Sequence, residues 1–190
     1  MNSKFIKIFN QEKSRGFTLM EVIVALFFIS TGIIGSYLLI NSTIFATTQA
    51  VDKFTAVYLA QEGIELVRNI RDTNWLEPPA NPPDPDQWHE DLNNCSGSCD
   101  ELVNGCMIDY ASSQFQDPAS PFPAYDGTPL KIESSSNLYG YAAGTNSKFK
   151  RKITISNISF ESMQICVWVG WEEKGTPNSF TLREDLYNWR

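Results

Sequence analysis

The chain has 190 residues and a formal net charge of −7. Residues 1–16 hold four cations (Lys4, Lys7, Lys13, Arg15) against one anion, Glu12, which leaves −10 on the side chains that follow. So acidic a chain is a poor electrostatic match to nucleic-acid phosphates, and no nucleic-acid partner is expected. There is one histidine, His89, with no phosphate-cradling glycine loop and no dinucleotide fingerprint, so no enzyme and no cofactor are expected.

The basic stretch ends at Gly16. Phe17, Thr18, Leu19 and Met20 follow, then Glu21, and no further charge occurs before Asp52. About 20 apolar residues suffice to cross a bilayer core as a helix, and residues 22–40 meet that length. Cations ahead of the apolar run keep the N-terminus cytoplasmic and send the rest outward. An ordinary secretory signal is cut after its apolar region, at small residues. Here the small residue, Gly16, precedes it, so cleavage would leave the apolar segment on the mature protein. A carboxylate beside a membrane helix is costly and marks function by default. Glu21 is that carboxylate, and after cleavage the α-amine of Phe17 lies within about one helical turn of it.

The pattern Gly16-Phe17-Thr18-Leu19-Met20-Glu21, followed by an apolar helix, resembles the N-terminal signature of type IV pilins and of type II secretion pseudopilins. The resemblance implies cleavage between Gly16 and Phe17 by a prepilin peptidase, N-methylation of Phe17, and a filament-assembly role for Glu21. It also implies an inner-membrane assembly platform, an assembly ATPase and other pilin subunits as partners. Major type IV pilins often carry a proline near the position of Leu38. Its absence here fits a minor pilin or a pseudopilin.

Residues 17–72 read as one helix. Residues 17–40 form a transmembrane or filament-core part, and residues 41–72 an amphipathic part that continues into the globular domain. Val57, Ala60, Ile64, Val67 and Ile70 share a stripe with Leu66 beside it, while Glu62, Glu65, Arg68 and Arg71 fall elsewhere. Gly32 and Gly35 interrupt the membrane half; they fit either close helix packing or ordinary glycine use in a membrane helix.

Residues 73–190 suit one small extracytoplasmic domain. Residues 77–129 are rich in loops. Within them, Glu77 to Asp86 holds five prolines, which end the helix and favour polyproline character. Asp84, Asp86, Glu90 and Asp91 offer oxygens for calcium but lack the spaced loop pattern, and Asp100 and Glu101 read as solvated. Cys95, Cys99, Cys106 and Cys166 are an even set in a region expected outside the cytoplasm, which favours disulfides of undetermined pairing. A zinc site with His89 is the alternative, although paired C-x-x-C spacing is absent. Three glycosylation-type triplets begin at Asn41, Asn94 and Asn157.

Strand patterns dominate the C-terminal part. Phe149, Arg151, Ile153 and Ile155 alternate with Lys150, Lys152, Thr154 and Ser156. Ile165, Val167, Val169 and Trp171 alternate with Cys166, Trp168 and Gly170. A turn is expected at residues 174–178, with a further strand opening at Phe180 and Leu182. Residues 103–110 are a further strand candidate. The cluster Lys148, Lys150, Arg151 and Lys152 reads as the solvated face and edge of a strand.

The expected fold is therefore α+β and pilin-like: a long N-terminal helix packed on a small C-terminal antiparallel β-sheet, with a β-meander over residues 148–190. The expected function is a structural filament subunit, inserted in the membrane as a prepilin. An uncleaved membrane-anchored adhesin or ligand-binding receptor is the alternative.

Overall fold

The computed structural model of the chain describes residues 16–76, 87–99, 104–111 and 122–189. Helix α1 runs from Leu19 to Leu76. Among the described residues six strands follow: β1 (Lys131–Ile132), β2 (Tyr139–Gly140), β3 (Thr145–Asn146), β4 (Lys150–Ser156), β5 (Ser162–Glu173) and β6 (Thr176–Tyr187). They form two antiparallel three-stranded sheets, ordered β2-β1-β3 and β4-β5-β6. The fold class is α+β, as the periodicities predict. The chain divides into two compact units, residues 1–48 and 49–190.

In the second unit the expected meander is present. Arg151 pairs with Val169, and Val169 with Phe180; Ile153 pairs with Val167, and Val167 with Leu182. Lys174 and Gly175 make the β5–β6 turn, both at positive φ. The turn is tighter than the composition suggests, and β6 starts at Thr176. Pro177 is tolerated in β6 because that strand is the sheet's edge.

The helix between Gln49 and Leu76 packs on one face of this sheet. Its buried face runs through Ala56, Leu59, Ala60, Gly63, Ile64, Val67 and Ile70. That is close to the expected stripe, turned so that Val57 is half-buried and Leu59 takes the core position. Gly63 sets the approach, since a Cβ there would stand 2.9 Å from a Val167 methyl. The helix runs four residues past its expected end at 72. Arg71, placed on the solvent side by the periodicity, is buried, with its guanidinium 4.7 Å from the centre of the Trp75 ring. An aromatic face beside the last turn accepts the cation there.

Lys150 to Ser156 was read as one apolar face and one solvated face. In the structure every residue from Arg151 to Ile155 is buried, so the expectation of a solvated Arg151 and Lys152 is overturned. Only Lys148 and Lys150 of that cluster are exposed. The second face is covered by the cysteine-bearing loops. Of the segment expected as a strand at 103–110, the described residues 104–110 form none; Cys106 makes isolated bridges to Ala124 and Ile153. The Gly97 N–H donates to the Ile155 carbonyl at 3.1 Å, and the Cys106 N–H to the Ile153 carbonyl at 2.8 Å. These bonds close the β4 edge, which would otherwise be open to pairing. Gly105 is required there, because its φ is 116° and a Cβ would lie 2.6 Å from the Ile153 carbonyl oxygen.

Disulfides join Cys95 to Cys106 and Cys99 to Cys166, which resolves the pairing. The zinc alternative falls with it, since disulfide sulfurs carry no thiolate for a metal. His89, read as part of a polar loop, is buried against Trp88 on a 3₁₀ segment, Gln87–Cys95. Asp84, Asp86, Asp100 and Glu101 lie outside the described residues.

Arg151 ties the layers together. Its side chain is fully buried, and its Nη1 donates to Glu62 at 2.9 Å and to the Leu59 carbonyl at 3.2 Å. Its Nη2 donates to the Ile108 carbonyl at 2.7 Å. Its own carbonyl accepts the Tyr141 hydroxyl at 2.8 Å. Burial pushes that phenol up to about 12. Helix, sheet and the loop at Ile108 therefore meet at one guanidinium.

Two outcomes follow for stability. Glu62→Ala removes the counter-charge of a fully buried cation and is expected to cost about 3 kcal/mol. The double change Glu62→Leu with Arg151→Met should recover most of that in chemical denaturation; a double variant no better than the single one would contradict the pairing. For the disulfides, thiol titration of denatured, unreduced protein should find no free thiol. In the chain-entropy picture, closures of 11 and 67 residues are worth about 3 and about 4 kcal/mol. Removing the Cys99–Cys166 pair should thus lower the melting point more than removing Cys95–Cys106. The reverse order would show that native packing, not loop length, sets their value.

Candidate functional site

The first unit contains the segment on which the functional reading turns. Gly16, Phe17 and Thr18 precede the helix and are exposed. Nothing lies within 4 Å of where a Cβ on Gly16 would stand, so the backbone at the Gly16–Phe17 bond is uncovered. Phe17 is 81% exposed.

Thr18 caps α1. The Glu21 N–H donates to the Thr18 hydroxyl at 3.3 Å and to its carbonyl at 3.1 Å, and the Val22 N–H donates to the same carbonyl at 3.2 Å. Thr18-Leu19-Met20-Glu21 has the spacing of a capping box, with the acid at the third helical position. This signal was legible in the sequence and was missed there. It places Glu21 in the first turn, where a carboxylate is favoured by the helix dipole. Among the described residues Glu21 makes no ion pair. Helix start and carboxylate are thus coupled: the residue that opens the helix also fixes the height of Glu21 above Phe17.

From Val22 to Val51 the helix carries thirty residues without a charge. Every residue from 16 to 51 is exposed. Its most apolar 18-residue window has a mean hydropathy of 2.3 and is 0% buried. By length and composition the helix can cross a membrane, and the segment suits a single-pass anchor.

Every serine and threonine within it, and the Asn41 amide N–H, bonds back to the helix itself. Thr31 donates to the Phe27 and Phe28 carbonyls at 3.0 Å, and Ser36 to Gly32 at 2.9 Å. Asn41 donates to Tyr37, Thr43 to Leu39 and Thr47 to Thr43, each at 2.9 Å. Ser30, Ser42 and Thr48 bond backwards in the same way. A hydroxyl that returns its proton to its own helix needs no water. Ser42, Thr43, Thr47 and Thr48 therefore need no water for their hydroxyl protons.

The four cysteines belong to the second unit, as the disulfides already described, and fit an oxidising extracytoplasmic compartment. Gly32 and Gly35 have open space around them, so the structure offers no intrachain reason for either. No group of histidine, cysteine and acidic side chains able to hold a metal occurs among the described residues. Comparison with protein-family models, with curated proteins and with solved structures finds no match to this chain.

Proposed function

We propose that this chain is a structural subunit, a minor pilin or pseudopilin, of a filament of the type IV pilus or type II secretion kind. It acts without catalysis. It enters the inner membrane as a prepilin, with its disulfide-bonded domain outside the cytoplasm. A prepilin peptidase cuts between Gly16 and Phe17, Phe17 is N-methylated, and an inner-membrane platform and assembly ATPase move the subunit into the filament.

One observation carries this reading over that of a simple anchor. A bilayer core of about 30 Å needs about 20 helical residues. The uncharged stretch has thirty residues, about 45 Å at the helical rise. The excess suits a helix that leaves lipid and packs against other helices. Glu21 supports the same reading. Its charge at the membrane end of that helix has a specific partner in the α-amine of Phe17 on an adjacent subunit, and that pair sets the axial register.

The test is a competition. Intact mass of the mature protein should begin at Phe17, and Gly16→Val should leave the full-length precursor. A filament-incorporated chain starting at Met1 would contradict the proposal and favour an uncleaved receptor or adhesin. Glu21→Leu should insert in the membrane and be cleaved normally, because the cut site is untouched. Removing one partner of a poorly solvated pair costs about 3 kcal/mol, so Glu21→Leu should fall at least tenfold in sheared filaments when expressed beside wild type. Equal incorporation would make Glu21 only an interfacial charge and helix cap.

A further inference from the structure

We propose that the Cys99–Cys166 disulfide is a thiol-exchange site, opened by a dithiol reductant that attacks Cys99, while Cys95–Cys106 is a closed structural staple. The proposal goes beyond the filament reading and does not depend on it.

The two bonds differ in access. Cys95 and Cys106 are both fully buried. Cys106 is held further by its backbone, which donates to the Ile153 carbonyl at 2.8 Å and accepts from the Ile153 N–H at 3.1 Å. A thiolate meets neither sulfur until that loop opens. Cys166 lies on β5. Val167 faces the helix at Gly63, so Cys166 faces the opposite side of the sheet. It is 1% exposed. Cys99 is only partly buried and follows the exposed Ser98, and it is the one cysteine of the four that is not buried. Access therefore selects one bond, and one end of that bond.

Charge acts at the same place. The Arg183 Nε donates to the Cys99 sulfur at 3.2 Å, and Arg183 is the β6 residue paired with Cys166. A guanidinium beside a sulfur favours its thiolate. A thiol of lower pKa leaves faster in exchange. Two further charges lie diagonal to Cys166 on that face. Lys152 pairs with Trp168, and Asp185 pairs with Gln164 and accepts its amide at 3.0 Å. Among the described residues of the sheet, the surroundings of the bond are thus net positive.

The reaction has two steps. One thiolate of the dithiol attacks the Cys99 sulfur. A bond forms between them, the Cys99–Cys166 bond breaks, and its electron pair leaves on Cys166, which takes a proton from solvent. The second thiolate of the reductant then attacks the reductant's own sulfur in the mixed disulfide. The reductant closes to a disulfide, and Cys99 leaves as a thiolate beside Arg183. Two electrons pass from the dithiol to the cysteine pair, which ends as two thiols. The opened protein keeps its fold, because Cys95–Cys106 still closes the loop and the Gly97 and Cys106 N–H bonds still hold the β4 edge.

The test treats the full chain in detergent micelles with dithiothreitol, quenches with iodoacetamide at intervals, and maps the alkylated cysteines by peptide mass spectrometry. Cys99 and Cys166 should be alkylated together, about tenfold or more faster than Cys95 and Cys106. The difference should vanish in denaturant, where access is equal. Limiting glutathione, a monothiol, should leave its mixed disulfide on Cys99. Arg183→Gln changes an exposed side chain and should slow opening of Cys99–Cys166 about threefold or more, with Cys95–Cys106 unaffected. Equal rates for the two bonds in folded protein, earlier opening of Cys95–Cys106, or glutathione carried on Cys166 would overturn the proposal. An unchanged rate in Arg183→Gln would overturn the part given to the guanidinium.

Discussion

Thirty consecutive uncharged residues of one helix stand exposed, and that is the constraint on which the rest depends. Fifteen of them between Val22 and Phe45 are large apolar side chains. Fully burying such a side chain is worth roughly 1.5–3 kcal/mol, and these are 38–69% exposed, so leaving all of them in water costs roughly 13–26 kcal/mol. A folded domain is stable by only about 5–15 kcal/mol. No rearrangement within the second unit can offset that difference. The segment needs surroundings supplied from outside the chain, whether lipid or other helices. The back-bonded serines and threonines make it fit for both.

The second unit solves a different problem. A domain of this size with long loops has a thin core, and here one sheet serves as its middle layer. The helix covers one face and the disulfide-bonded loops cover the other. The Arg151 guanidinium is the common point, holding a helix carbonyl, a helix carboxylate and a loop carbonyl together. The pair of Asp52 with Lys148 does a smaller version of the same job where the helix first meets the domain. Asp52 is also the first charge after the uncharged stretch, so the end of that stretch coincides with the start of the domain contact.

Much of this was legible in the residues. The period of the helix gave its buried stripe, because Ala60, Ile64, Val67 and Ile70 have no alternative face. Period-two alternation gave the two faces of β5, and an even cysteine count in a region expected outside the cytoplasm pointed to disulfides. What was not legible shares one cause. Alternation shows which face is apolar but not what covers the other, so Arg151 and Lys152 read as solvated when a distant loop buries them. Arg71 and His89 are buried as well; their neighbours Trp75, one turn along the helix, and Trp88, adjacent in sequence, were in view, but the packing that closes over them was not. Thr18 is the exception: its spacing to Glu21 was in view, and the attention given to the acid's charge hid its part in the helix cap.

The central claim is that the uncharged helix ends in a filament and not in lipid alone. Electron microscopy of filaments from cells expressing this chain with a C-terminal epitope, with antibody labelling and a deletion strain beside it, tests that claim most directly. The account predicts label on sheared filaments, along them or at their tips, and altered filament number or length without the chain. Unlabelled filaments that are unchanged by deletion, with all of the protein in the membrane fraction, would contradict it.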